Sequence, residues 1–331
     1  MITLAVLGGG FMGAAHGANY QRLGERVRVK SLYSRPSERS RKLAESLGSE
    51  LVEDLDAALA DVDAVDVCLP TDLHREAAEA ALAAGKHVFL EKPIALTLED
   101  ADAIVAAARA SGRVFMVGLV LRFWPEYVEL QRLLAGGELG RPLAASTHRL
   151  SPPADWNDWM ADPARSGGVA VDLLIHDFDQ TNAFLGRAER VFAQAPTPSH
   201  VVAVVDYEGG ARAVCEGSMA MPRSYPFSSN IRVLCDGGAA EYAFSAAPAD
   251  DGGNIGEQQS ARGLRLYPAD GPPRTVSAPS VDPWGPELEY FVECVEAERT
   301  PERGTGEQAR AALAVALAAN RSLASGKPEP V

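Results

Sequence analysis

The chain has 331 residues, 47% of them hydrophobic and 23% charged, with 31 basic residues against 45 acidic ones and a net charge of −14. That length allows two domains with separate cores. The acidity excludes a broad nucleic-acid surface but not a local phosphate pocket. The cysteines, Cys68, Cys215, Cys235 and Cys294, are scattered without CxxC or metal-type spacing, which suits reduced thiols and a cytoplasmic setting. No charged lead-in precedes the first apolar run, so no signal peptide is expected. The apolar stretch 311–319, flanked by Arg310 and Arg321, is far shorter than the ~20 residues of a membrane span.

The apolar run 2–7 reads as a buried strand that ends in glycines, and residues 12–23 as the helix after it. A second strand at 27–33 precedes helices at 37–47 and 55–60. The run 64–69 is a third strand, stopped by Pro70. Residues 74–84 form a helix closed by Gly85, and 87–90 a strand that ends at Glu91-Lys92-Pro93. Thr97, with Asp100 three residues on, caps a helix that ends near Gly112, and 114–117 is another strand. Strands alternating with helices imply a parallel sheet covered on both faces.

After about residue 120 the pattern changes. A helix at 127–134 and a strand at 142–149 lead to the segment Gly167-Gly168-Val-Ala-Val-Asp172-Leu-Leu-Ile-His176-Asp177. It sets a carboxylate and an imidazole four residues apart in an apolar run, on one face if the run is a single helix. Strand-like runs follow at 191–194, 201–207, 211–219, 231–235 and 239–244, as in an antiparallel sheet. Residues 246–263 read as a loop, and 287–298 and 306–324 as closing helices. The fold class is α/β: a dinucleotide-type Rossmann domain over 1–120, then an α+β domain over 121–331 with an open, mostly antiparallel sheet. The last helix is free to pack back on the first domain.

Gly8-Gly9-Gly10-Phe11-Met12-Gly13 meets the GxGxxG pattern through Gly8, Gly10 and Gly13, and it sits between a strand and a helix as the motif requires. Such glycines let the backbone approach a pyrophosphate, and the helix N-terminus supplies N–H groups and partial positive charge. The second strand ends in Tyr33-Ser34-Arg35-Pro36-Ser37, with Arg39 nearby and no acid at its tip. An acid there would bind a ribose 2′-hydroxyl, whereas Ser34 and Arg35 suit a 2′-phosphate. NADP is therefore favoured over NAD.

Four features now coincide: the glycine loop, Leu69-Pro70-Thr71-Asp72-Leu73-His74, the run Ala84-Gly85-Lys86-His87-Val88-Phe89-Leu90-Glu91-Lys92-Pro93, and the segment from Gly167 to Asp177. Together they resemble the Gfo/Idh/MocA oxidoreductases over nearly the whole chain. The resemblance implies that Lys92, Asp172 and His176 form a catalytic trio that also touches substrate. It places Leu69, Pro70, Thr71 and His74 beside the adenosine and pyrophosphate, Glu91 near the nicotinamide ribose, and Arg122 close to cofactor or substrate. Trp159 falls in a substrate-side segment where many relatives carry Arg at the position of Met160. A homodimer or homotetramer through the second sheet is the implied assembly.

The chemistry agrees with that pattern. Oxidising a secondary alcohol needs a hydride acceptor and a proton acceptor, and a histidine near neutral pKa suits the second role. A lysine ammonium steadies developing alkoxide charge, and a carboxylate can orient either partner. Lys92 and His176 are interchangeable as proton acceptor on this reasoning. The expected substrate is a sugar, cyclitol or related polyol, with no nucleic-acid or membrane partner. An NAD-retaining glycoside hydrolase or a non-enzymatic dinucleotide sensor are the alternatives. Trp124, Trp156, Trp159 and Trp284, with Asp155 and Asn157, are candidates to line a sugar pocket. His16 reads as structural or cofactor-side. Asp172, His176 and Asp179 lack a further ligand cluster, so no metal is expected.

Overall fold

The computed structural model describes residues 1–153, 158–246, 258–277, 279 and 282–331, without the side chains of 158 and 258–262. The chain divides into two compact units, Met1–Phe123 with Val281–Arg310, and Trp124–Ser280 with Ala311–Val331.

The first unit is built on six strands: β1 (Ile2–Leu7), β2 (Val27–Tyr33), β3 (Glu50–Val52), β4 (Ala64–Val67), β5 (His87–Leu90) and β6 (Phe115–Val117). All pair in parallel, in the order β3-β2-β1-β4-β5-β6. The order reverses between β1 and β4, and ligands of open parallel sheets bind outside the strand ends at such a switch point. The central strands are apolar because both faces are covered: Leu4, Ala5, Val6, Leu7, Val65, Val67, Phe89 and Leu90 are fully buried. Helix Phe11–Arg22 follows β1, and helix Gly285–Glu296 returns to this unit, with Phe291 set edge-on to Phe89 at 5.6 Å. Thr97 caps helix Leu98–Ser111, its hydroxyl accepting from Asp100 N–H at 3.0 Å.

Among the described residues the second unit holds nine strands: β7 (Pro142–Leu150), β8 (Ala188–Thr197), β9 (His200–Tyr207), β10 (Arg212–Ser218), β11 (Phe227–Cys235), β12 (Gly238–Ala246), β13 (Gln258–Pro268), β14 (Arg274–Val276) and β15 (Glu329–Pro330). Their order is β14-β13-β12-β11-β7-β10-β9-β8-β15. The pairing is antiparallel except between β7 and β10. One face carries Val204 and Val214 opposite one another, and Leu234 and Tyr267 in a row two residues along the strands. All four are exposed.

Two expectations need correction. The ends of the stretch 246–263 are strand rather than loop: β12 runs to Ala246 and β13 begins at Gln258, because Ala246 pairs with Gln258 and Ser245 with Ser260, while 247–257 lie outside the described residues. The Asp172/His176 run is not one helix either. Asp172 closes helix Gly168–Asp172, and His176 lies in the first turn of helix Ile175–Leu185. The amides of Leu173 and Leu174 both bond to the carbonyl of Val169, and a tight Asp177-to-Leu174 turn restarts the ladder.

Candidate active site

The loops singled out in the first unit all leave carboxyl ends of parallel strands. Gly8 to Gly13 follow β1, Ser34 and Arg35 follow β2, Leu69 to Thr71 follow β4, Glu91 to Pro93 follow β5, and Arg122 follows β6. The backbone stitches them together. Gly8 N–H donates to the Tyr33 carbonyl at 2.9 Å, Cys68 N–H to Leu7 at 2.8 Å, Glu91 N–H to Val67 at 3.0 Å and Gly118 N–H to Leu90 at 2.8 Å.

The glycines differ in what they do. Gly8 has φ +125°, and a Cβ there would stand 2.4 Å from the Cys68 carbonyl oxygen. A Cβ on Gly13 would stand 1.9 Å from the Gly8 oxygen, so Gly13 lets the helix pack on the loop. A Cβ on Gly10, the residue preceding the helix, would meet no described protein atom within 4 Å. Gly10 thus keeps open a path to the helix N-terminus, the cradle a dinucleotide pyrophosphate requires. Phe11, half-buried, packs edge-on against Trp284 at 5.7 Å, and Met12 is half-buried beside it. Arg35 and Arg39 are exposed and Ser34 half-buried. Ser37 and Ser40 form a reciprocal cap on helix Glu38–Leu47, and Ser40 Oγ also donates to the Arg35 carbonyl at 2.9 Å.

Leu69 and Pro70 are half-buried and Thr71 is buried. His74 uses both ring nitrogens on carbonyls, Nδ1 on Pro93 and Nε2 on Leu69, each at 2.9 Å. It ties the loop after β4 to the Glu-Lys-Pro turn and has no nitrogen left for a ligand. Burial lowers its pKa, against the pull of those two carbonyls. Glu91 is buried, and its Oε2 accepts the Lys92 N–H at 2.9 Å. Lys92 is half-buried, and Arg122 is buried.

In the second unit, Asp172 is buried and His176 half-buried. Asp177, beside His176, pairs with Arg149 of β7 at 2.9 Å, with side chains 2% and 5% exposed. This ion pair fixes the start of the helix that bears His176. The Gly167 carbonyl accepts from Asn320 Nδ2 at 3.0 Å. Trp159 is half-buried, while Trp124 is buried against Tyr127 and Phe244. Asp155, Trp156 and Asn157 lie outside the described residues.

The sequence reading missed the importance of Asp66, Cys68 and Glu287. Asp66 and Glu287 are fully buried, and Asp66 pairs with His16, itself fully buried. An acid inside the apolar strand 64–67 was the available signal, since both faces of a central parallel strand are covered.

The switch-point geometry and the glycine cradle define a Rossmann unit of the dinucleotide-binding type. Residues 2–119 match the model described as "Oxidoreductase family, NAD-binding Rossmann fold", and residues 127–241 match the GFO/IDH/MocA C-terminal domain. The chain belongs to the Gfo/Idh/MocA oxidoreductase family and is an enzyme of that class. It is 27% identical to myo-inositol 2-dehydrogenase of Thermotoga maritima, over 97% of this chain and 96% of that one. It is also 27% identical to scyllo-inositol 2-dehydrogenase (NAD(+)) of Bacillus subtilis, over 99% and 95%. The solved aldose-aldose oxidoreductase of Caulobacter crescentus superposes with a TM-score of 0.84 at 25% identity, covering 100% of this chain and 99% of that one.

Proposed function

We propose that this oxidoreductase moves a hydride between NADP, in preference to NAD, and a secondary alcohol or carbonyl carbon of a sugar, cyclitol or related polyol. The observation that carries the reading is the gathering of the glycine cradle, the Ser34-Arg35 tip and the Glu91-Lys92 turn at one edge of the parallel sheet. The names of the inositol and aldose relatives support the substrate class. When bound, the dinucleotide supplies the hydride acceptor.

Gly8, Gly10, Phe11, Met12 and Gly13 hold the pyrophosphate, and Ser34 and Arg35 hold the adenosine ribose with its 2′-phosphate. Leu69, Pro70 and Thr71 flank the adenosine side, with His74 shaping their loop. Glu91 and Arg122 serve the nicotinamide side. His176 takes the hydroxyl proton, the Lys92 ammonium steadies the negative charge that grows on the same oxygen, and Asp172 orients the hydroxyl. Trp159 borders the substrate. This assignment requires Lys92 to meet Asp172 and His176 in the working enzyme. No metal takes part in it.

The exposed face bearing Val204, Val214, Leu234 and Tyr267 supports a homodimer or homotetramer formed through the nine-stranded sheet, which sedimentation analysis would test. Free thiols throughout favour a reducing, cytoplasmic setting. Among the described residues no helix is long and apolar enough to cross a membrane.

A panel of sugars and cyclitols, run with NAD and NADP side by side, tests the function. Steady growth of reduced cofactor with one substrate supports the proposal. Cleavage of glycosides without such growth would replace it with a hydrolase that recycles its cofactor.

A further inference from the structure

Behind the Glu-Lys-Pro turn lies a group of buried polar side chains that the hydride-transfer reading leaves unused. His16, on helix Phe11–Arg22, is fully buried, with Nδ1 2.8 Å from Asp66 Oδ2 and Nε2 3.3 Å from Glu91 Oε1. Cys68 Sγ lies 3.4 Å from His16 Nδ1 and 3.3 Å from Asp66 Oδ1. Phe89 closes the group edge-on to the imidazole at 5.5 Å. Glu287, from helix Gly285–Glu296, is 0% exposed. A carboxyl oxygen of Glu287 lies within 4.8 Å of the facing atoms of His16 and Glu91, and neither of its oxygens accepts a hydrogen bond from the described residues.

Three carboxyl groups therefore surround one imidazole in a water-excluded place. Burial opposes a charge on His16, yet Asp66 beside it holds its pKa well above the usual value. Burial pushes the Cys68 thiol up, so it stays neutral. His16 is then an imidazolium, hydrogen-bonded through Nδ1 to Asp66, with Nε2 at ion-pair distance from Glu91 but in no hydrogen bond with the described residues. The groups that bear on Glu287 are His16 and Tyr20 from the first helix, Asp66 from β4, and Glu91 after β5. His16 is the single cation among them, and it is already shared by two carboxylates. Burial and the charge of Glu91 hold the Glu287 carboxyl well above the carboxylate range, as expected for an acid with no cation of its own.

We propose that Glu287 keeps its proton in the folded enzyme and turns that O–H, as a hydrogen-bond donor, to the Glu91 carboxyl within 4.8 Å of it, so that Glu91 is pinned from one side while its Oε2 holds the Lys92 amide. Glu287 is thus a positioning residue for Lys92, acting through Glu91. The kinetic consequence rests on the role given to Lys92 above; the protonation of Glu287 does not. Residues His16, Glu91 and Glu287 also have the mutual spacing of a cation site, but an imidazolium has no lone pair to offer a metal.

Infrared difference spectra of the full-length wild type and Glu287→Gln test the protonation directly. A protonated-carboxyl C=O band lost in the variant is expected, and its absence overturns the proposal. So does about one equivalent of divalent metal in the purified wild type that disappears in E287Q. Glu287→Gln keeps a neutral donor, and its kcat should stay within ~3-fold of wild type. Glu287→Ala removes the donor and should lower kcat by ~10- to 100-fold with little change in KM. The kcat of wild type should fall as pH rises through the Glu287 titration, and that limb should be missing in E287Q. A loss in E287Q as large as that in E287A overturns the positioning role. If E287A fails to fold, the band and the E287Q pH profile still decide. Full activity in Lys92→Ala would sink the function proposed above while leaving the band in place.

Discussion

Gly10 and Gly13 belong to one motif, yet the structure gives them separable jobs. A methyl group at Gly13 would stand 1.9 Å from the Gly8 carbonyl oxygen and 3.3 Å from Val6 Cγ1, so backbone must move by about 1 Å before the contact is tolerable. Overpacking of that kind costs ~1–3 kcal/mol, and here the obstacle is backbone, which places the cost near the upper end. For a unit of this size ~3 kcal/mol lowers Tm by ~6–12 °C. At Gly10 the backbone is extended, with φ −82° and ψ −162°, and a methyl group meets no described atom. Gly10→Ala should therefore fold within ~0.5 kcal/mol of wild type. Its methyl would project where a pyrophosphate must approach the helix N-terminus, and a clash of ~1.4–2.8 kcal/mol weakens binding ~10- to 100-fold. Thermal unfolding without ligand, paired with calorimetric titration of NAD+ and NADP+, separates the two effects. Wild-type dinucleotide affinity in G10A, or an unchanged Tm in G13A, would refute the assignment.

His176→Ala and Lys92→Ala should each lower turnover at least ~100-fold while dinucleotide binding persists; near-normal rates in either variant would remove that residue from the mechanism. Arg35→Asp should shift the ratio of kcat/KM for NADP over NAD toward NAD by at least ~10-fold, and an unchanged ratio would defeat the 2′-phosphate assignment. Asp177→Ala leaves the Arg149 guanidinium buried and uncompensated, and chemical denaturation should show a loss of ~3–5 kcal/mol; a loss under ~1 kcal/mol would show that water or another group replaces the carboxylate. The raised pKa of Glu287 makes its contribution to stability complete below the ordinary carboxylate range and lost as pH climbs through the raised value. Wild type should therefore lose stability relative to Glu287→Gln as pH rises through that titration in denaturant series, and parallel curves would contradict a protonated Glu287.

The first unit was legible because its signals are local. Strands stopped by Gly8, Pro70 and the Glu-Lys-Pro turn, and a helix capped by Thr97, each announce a boundary within a few residues, and alternation then dictates a parallel sheet. The second sheet was legible only as strand-like runs. Its order depends on β7 lying between β10 and β11, partners distant in sequence that no period-two pattern encodes. β13 was hidden because its first residues, Gln258 to Gly263, are polar or small and read as loop. The break between Asp172 and His176 escaped notice because Val171, Leu173, Leu174 and Ile175 continue an apolar run that a single helix satisfies equally well. The tight turn at Leu174 is closed by the Asp177 amide on the Leu174 carbonyl, and nothing in composition marks it.

The acid in β4 shows how more could have been read. Asp66 lies in the strand that adjoins β1 at the switch point, where neither face sees water, so its position alone demanded a buried partner. His16 is the one histidine on the helix that follows β1, which made it the natural candidate, and the structure pairs them at 2.8 Å. The same reasoning stops short of Glu287. That residue sits in a helix whose neighbours Leu288, Phe291 and Val292 are buried, and its own spacing before Leu288 is compatible with a solvent-facing edge. Only tertiary packing, which sets helix Gly285–Glu296 against helix Phe11–Arg22, turns the carboxyl inward toward two others. A site assembled from one helix, two strand ends and a segment some 200 residues further on is written in no local pattern. What the sequence does offer is the unpaired demand of Asp66, and following such a demand to its charge balance is what leads to the proton on Glu287.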